Sequence, residues 1–80
     1  MNGIEKILSA EEILAAWDED CRKDGFIPAW TKLMDGMERS RRWSRRAERR
    51  CARDAARVQC SEYERAAVRV MGRADPELVR

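Results

Sequence analysis

In the stretch LSAEEILAAWDEDCRKDGF, residues 8–26, the positions Ala10, Ile13, Leu14, Trp17 and Cys21 recur at three- and four-residue spacing. They line one face, while Glu11, Glu12, Asp18, Glu19 and Lys23 occupy the others, as in an amphipathic helix. Ser9 followed by Glu12 has the form of a capping box, in which hydroxyl and carboxylate satisfy backbone donors at a helix start. Leu8 and Ile13 fall at the two positions of a hydrophobic staple. Gly25 then predicts a left-handed cap, with Phe26 folding back on Cys21. The first helix is expected over about residues 9–24, with Trp17 in the core. Ile4, Ile7 and Leu8 allow a short preceding turn.

Pro28 suits the first turn of a second helix, where its missing N–H is not needed. Beyond it only Gly36, at a cost of about 1 kcal/mol relative to alanine, interrupts the helical pattern before Gly72. Taken literally, that is a rod of about 44 residues and roughly 66 Å, too long for the first helix to cover. Two arrangements resolve this. Ser61 with Glu64 forms a second candidate capping box, so a long helix over 28–60 can end there and turn back as a last helix to about 72. Alternatively the long helix stays straight and pairs with its copy in a homodimer. Asp75 and Pro76 offer at most one frayed turn near the end.

On a wheel of about 100° per residue, Trp30, Leu33, Met37, Ser40, Ser44, Ala47, Cys51, Ala55, Val58 and Ala66 share one stripe. From Ser40 to Ala55 its side chains are small, which suits close helix packing. Trp30, Met34 and Met37 therefore read as packing residues rather than as a cofactor box. The expected architecture is all-α: one helical domain over 1–80, a hairpin or small bundle with one long basic helix, as a homodimer.

Charge changes the picture. The net charge of +2 comes from 17 basic and 15 acidic residues that are segregated along the chain. Residues 1–24 hold seven acids against three bases, whereas RSRRWSRRAERRCARDAAR, residues 39–57, holds nine arginines against Glu48 and Asp54. Arg42, Arg45, Arg46, Arg49, Arg50, Arg53 and Arg57 fall opposite the small-residue stripe. Like charges four residues apart, such as Arg42 with Arg46 or Arg45 with Arg49, each destabilise a helix by a few tenths of a kcal/mol. Three compensators are available: the chain's own acidic first helix, the phosphates of a nucleic acid, or an acidic protein surface met by guanidinium forks. Trp43, about 100° off the stripe and flanked by Arg41, Arg42, Arg45 and Arg46, either anchors such a contact or covers an edge of the core.

The chemistry of catalysis is missing from the sequence. There is no histidine to activate a serine or cysteine, no glycine-rich loop for a phosphate, and no pair of carboxylates framed by a cleft-forming fold. DEDCRKD, residues 18–24, alternates acids like a calcium loop but puts Arg22 at a ligand position on a predicted helix, so neither metal nor cofactor is expected. Cys21, Cys51 and Cys60 are an odd count without a close pair, as in a reducing compartment; Cys21 and Cys51 read as small buried residues. No run approaches the 18 or so apolar residues of a membrane span, and Glu5 interrupts any signal-like start, which points to a cytoplasmic protein.

In its length and charge segregation the whole chain resembles the small proteins that phages and mobile elements use to disable host machinery, anti-CRISPR proteins among them. The resemblance implies a non-enzymatic inhibitor that covers a functional surface on a host protein. The function expected is steric occlusion of a macromolecular partner by the face around Arg42, Trp43, Arg45, Arg46, Arg49, Arg50, Arg53 and Arg57. An acidic protein is the preferred partner, because the acidic first helix would repel nucleic acid lying near it. DNA or RNA binding by the basic helix is the alternative, and a structural oligomer subunit is the third reading.

Overall fold

The computed structural model describes residues 7–49, with the backbone alone for Arg49, and residues 52–74. Three helices follow in order: α1 (Ala10–Asp24), α2 (Phe26–Arg46), a single 3₁₀ turn at Ala47–Arg49, and α3 (Arg53–Ala74). Among the described residues there is no strand. None of their helices is long and apolar enough to cross a membrane.

Local chemistry sets the start of α1. Ser9 Oγ accepts from the Glu12 amide at 3.2 Å while the Ser9 amide donates to Glu12 Oε1 at 3.2 Å, so both halves of the capping box are made. Gly25 ends the helix with its N–H on the Cys21 carbonyl at 3.0 Å. Its φ of 99° and ψ of 170° differ from the left-handed helical cap expected. The reason is that Gly25 also opens α2, accepting from the Ala29 amide at 3.3 Å, which needs the chain to reverse within one residue. Only glycine takes that positive φ without strain. Phe26 begins α2 and turns back onto α1 at Trp17, which it meets edge-on at 5.6 Å, while it stacks with Trp30 at 6.1 Å between centroids. Pro28 sits in the first turn, where its missing donor costs nothing.

The core lies where all three helices overlap. Ile13 and Trp17 of α1, Ala29 and Leu33 of α2, and Ala66, Ala67 and Val70 of α3 form it, with Trp30, Met34, Met37 and Tyr63 half-buried around its edge. Polar contacts fasten α1 along this half of the bundle. The Ala10 amide donates to Glu62 Oε2 and Arg69 pairs with Glu11, while Arg73 reaches Asp18 at 3.1 Å and lies 6.0 Å over the Trp17 ring. Lys32 holds Asp24 at 2.9 Å and Asp20 at 3.6 Å across the α1–α2 corner.

The long helix expected over 28–60 is broken earlier, between Ala47 and Ala52, and runs neither to Ser61 nor straight to Gly72. The cause is the position of the small residues. Ala47 and Ala56 are both buried, at 4% and 0% exposure. Nine residues of continuous helix would put them about 180° apart, one of them in water. A turn between them lets α3 reverse, so that Ala29, Leu33, Gly36, Ser40 and Ala47 face Ala56, Ala66, Ala67 and Val70. Of the stripe expected on one rod, Leu33, Ser40, Ala47 and Ala66 are buried, but Ala55 is only half-buried and Val58 is 49% exposed. The Ser61 capping box is not used, because Ser61 lies inside α3 and Glu64 reaches across to Arg41 at 2.9 Å. Because α1 and α3 cover α2 within one chain, a second copy is not needed to bury it. Ile4, Cys51, Asp75 and Pro76, where the sequence suggests a preceding turn, a buried cysteine and a final turn, lie outside the described residues.

Candidate macromolecule-binding surface

The reversal between α2 and α3 gathers what a rod would have spread out. The end of α2 carries Arg39, Arg41, Arg42, Arg45 and Arg46, and the start of α3 carries Arg53 and Arg57, so the basic segment folds into the tip of a helical hairpin. All seven side chains are exposed. Arg49 has its backbone in the 3₁₀ turn, and Arg50 lies outside the described residues.

Ion pairing divides the arginines into two sets. Arg41 is held by Glu64 at 2.9 Å, Arg42 by Glu38 at 3.3 Å one turn earlier, and Arg57 loosely by Asp54 at 3.6 Å. Arg39, Arg45, Arg46 and Arg53 have no carboxylate within 4 Å among the described residues. Meanwhile Glu11, Asp18, Asp20 and Asp24 of the acidic α1 are engaged by Arg69, Arg73 and Lys32, and Glu19 by Lys23 at 3.4 Å. These four cations all lie outside residues 39–57. The hydrogen bond from Arg41 to Glu64 holds the guanidinium above its usual range.

Trp43 is half-buried. With α2 buried along Ala29, Leu33, Gly36, Ser40 and Ala47, Trp43 falls about 50° from the centre of the interior face, not about 100° away as the single-rod stripe implied. The difference comes from Ala29 and Gly36, buried residues whose small size gives them too little hydropathy to mark a face in the sequence. Their burial rotates the interior face towards Trp43.

Between α2 and α3 at this end lies an open cleft of about 330 Å³. Arg41, Ser44 and Arg45 form its α2 wall, and Arg57, Cys60, Ser61 and Glu64 its α3 wall. Arg41, Ser44 and Arg45 share a face by three- and four-residue spacing, as do Arg57, Cys60, Ser61 and Glu64. The sequence hid this cleft because Ser44 and Cys60 are sixteen positions apart and only the reversal between α2 and α3 makes them neighbours. On the other side of the bundle, Leu8, Ile13, Trp17, Ala29, Leu33 and Tyr63 line a smaller apolar hollow whose rim carries Asp20 and Lys32.

No protein-family model, curated protein or solved structure matches this chain.

Proposed function

We propose that this protein is a small non-enzymatic interaction protein that grips an acidic surface of a protein partner with the arginine hairpin tip, using Arg42, Arg45, Arg46 and Arg53, and blocks that surface by occupying it. The observation that carries the reading is the pairing pattern: among the described residues Arg39, Arg45, Arg46 and Arg53 have no carboxylate partner, while Glu11, Asp18, Glu19, Asp20 and Asp24 of α1 are taken up by Lys23, Lys32, Arg69 and Arg73. Internal neutralisation, the basis of a purely structural role, thus leaves the tip positive. A guanidinium presents a planar fork suited to carboxylates, and opposite charge steers encounter as well as holding the complex. Occlusion of a host protein surface by a phage-type inhibitor, as anti-CRISPR proteins do, is the finer form of this proposal.

Nucleic acid is the second reading, favoured by one feature. Glu11, Asp18, Asp20 and Asp24 are engaged by cations on the core half of the bundle, which weakens the repulsion expected from the acidic helix. Against it, the half-buried Trp43 is the one aromatic residue between 39 and 57, so a base-stacking platform is lacking there. A homodimer belongs to the same proposal. Its seam would use exposed apolar side chains such as Val58, Val68 and Met71, and a monomeric mass by light scattering would remove it.

The test is a pull-down with the tagged protein from nuclease-treated extract, beside a variant carrying Arg45→Glu, Arg46→Glu and Arg53→Glu. One stoichiometric protein retained by the native chain and lost by the variant is expected. Recovery that disappears on nuclease treatment would transfer the function to nucleic acid, and an empty pull-down would count against both.

A further inference from the structure

The cleft between α2 and α3 has a chemistry of its own within the arginine tip. Its lining sets the three guanidinium groups of Arg41, Arg45 and Arg57 against one carboxylate, Glu64, which is already bound to Arg41. Arg45 has no partner among the described residues, and Arg57 only the 3.6 Å contact with the exposed Asp54. The hydroxyls of Ser44 and Ser61 add neutral donors, one from each helix. The excess of two positive charges matches a dianion.

We propose that this cleft is a receptor for a phosphomonoester, a phosphoserine or phosphothreonine side chain borne by the protein partner. A carboxylate is planar and is satisfied by one guanidinium fork, whereas donors approaching from both walls suit a tetrahedral group whose three free oxygens point in different directions. The charge of a phosphomonoester at pH 7, about −1.5 to −2, also matches the lining better than the single charge of a carboxylate or phosphodiester. The Arg41–Glu64 pair links the two walls of the cleft, and its carboxylate would oppose a continuous polyanion more than a single phosphate that reaches Arg45 and Arg57. At about 330 Å³ the cleft accommodates the phosphate with the side chain that carries it.

The assignment of the phosphate to a protein rests on the binding function proposed above, but the cleft itself is tested with small probes and the purified chain. The experiment is amide NMR of the ¹⁵N-labelled protein titrated with O-phosphoserine, inorganic phosphate, dimethyl phosphate and acetate. Saturable shifts confined to residues 41–45 and 57–64 are expected with the first two, and weaker binding with the others. Binding should fade as pH falls through about 6, where a phosphomonoester takes up a proton. Arg45→Gln and Arg57→Gln, both surface changes, should each weaken phosphoserine binding about tenfold or more, while Arg22→Gln, an exposed change on α1 away from the cleft, leaves it nearly unchanged. Equal binding of dimethyl phosphate would overturn the proposal in favour of a nucleic-acid backbone. Equal binding of acetate, shifts spread over the whole tip, or indifference to Arg45→Gln and Arg57→Gln would reduce the cleft to general electrostatics. Any of these leaves the pull-down result standing, and partner capture unaffected by phosphatase would sink the phosphate proposal alone.

Discussion

The ring of Tyr63 on α3 lies against the backbone of Gly36 on α2, so closely that a Cβ added at Gly36 would stand 2.6 Å from Tyr63 Cε1. Glycine in mid-helix costs about 1 kcal/mol of propensity, and here it admits an aromatic ring between two helices.

Gly36→Ala is therefore expected to destabilise the protein by about 1 kcal/mol net, since overpacking costs about 1–3 kcal/mol and the gain in helix propensity returns about 1. With Tyr63→Leu in place the same change should become stabilising. Thermal and urea unfolding followed by circular dichroism measure both, and a stabilising Gly36→Ala in the native background would contradict the close approach.

The interior face of α3 is set by Ala56, which is fully buried, rather than by the half-buried Ala55. Ala56→Leu should cost about 1–3 kcal/mol by overpacking, and Ala55→Leu distinctly less. Comparable losses at both positions would mean that α3 does not pack on α2 through the face that carries Ala56.

The unpartnered arginines should cost stability. Arg46→Glu removes the repulsion of Arg42 one turn earlier and replaces it with an attractive pair, so it is expected to stabilise by a few tenths of a kcal/mol while weakening partner capture. Added salt, by screening the tip, should raise the melting temperature of the native protein more than that of Arg46→Glu. A melting temperature that falls with salt would indicate that the tip is already neutralised.

Two exposed ion pairs predict the pH limbs of stability. The hydrogen bond and charge of Arg69 hold the Glu11 carboxyl below its ordinary 4.5. Its contribution is thus complete above that value and is lost as pH falls through the lower folded-state value. Lys32, held by Asp24 and Asp20, is raised above its ordinary 10.5, so its contribution is complete below 10.5 and is lost as pH climbs beyond it. Glu11→Gln should flatten the acid limb and Lys32→Met the alkaline limb, each modestly because both groups face solvent. Unfolding midpoints measured across pH check the two independently.

The sequence by itself determined α1 almost to the residue, because Ser9, Glu12 and Gly25 act on their immediate neighbours and the apolar face of Ile13 and Trp17 repeats with the helix period. It also determined that the chain is helical and where its arginines concentrate. The end of α2, the burial of Ala56, the interior edge at Trp43 and the cleft at Arg45 and Arg57 were decided by tertiary structure alone. Breaking a helix between Ala47 and Ala56 gains nothing locally, since neither glycine nor proline stands there. What favours the break is the close contact of two small-residue faces, a long-range gain that a helical wheel drawn for one continuous rod cannot represent.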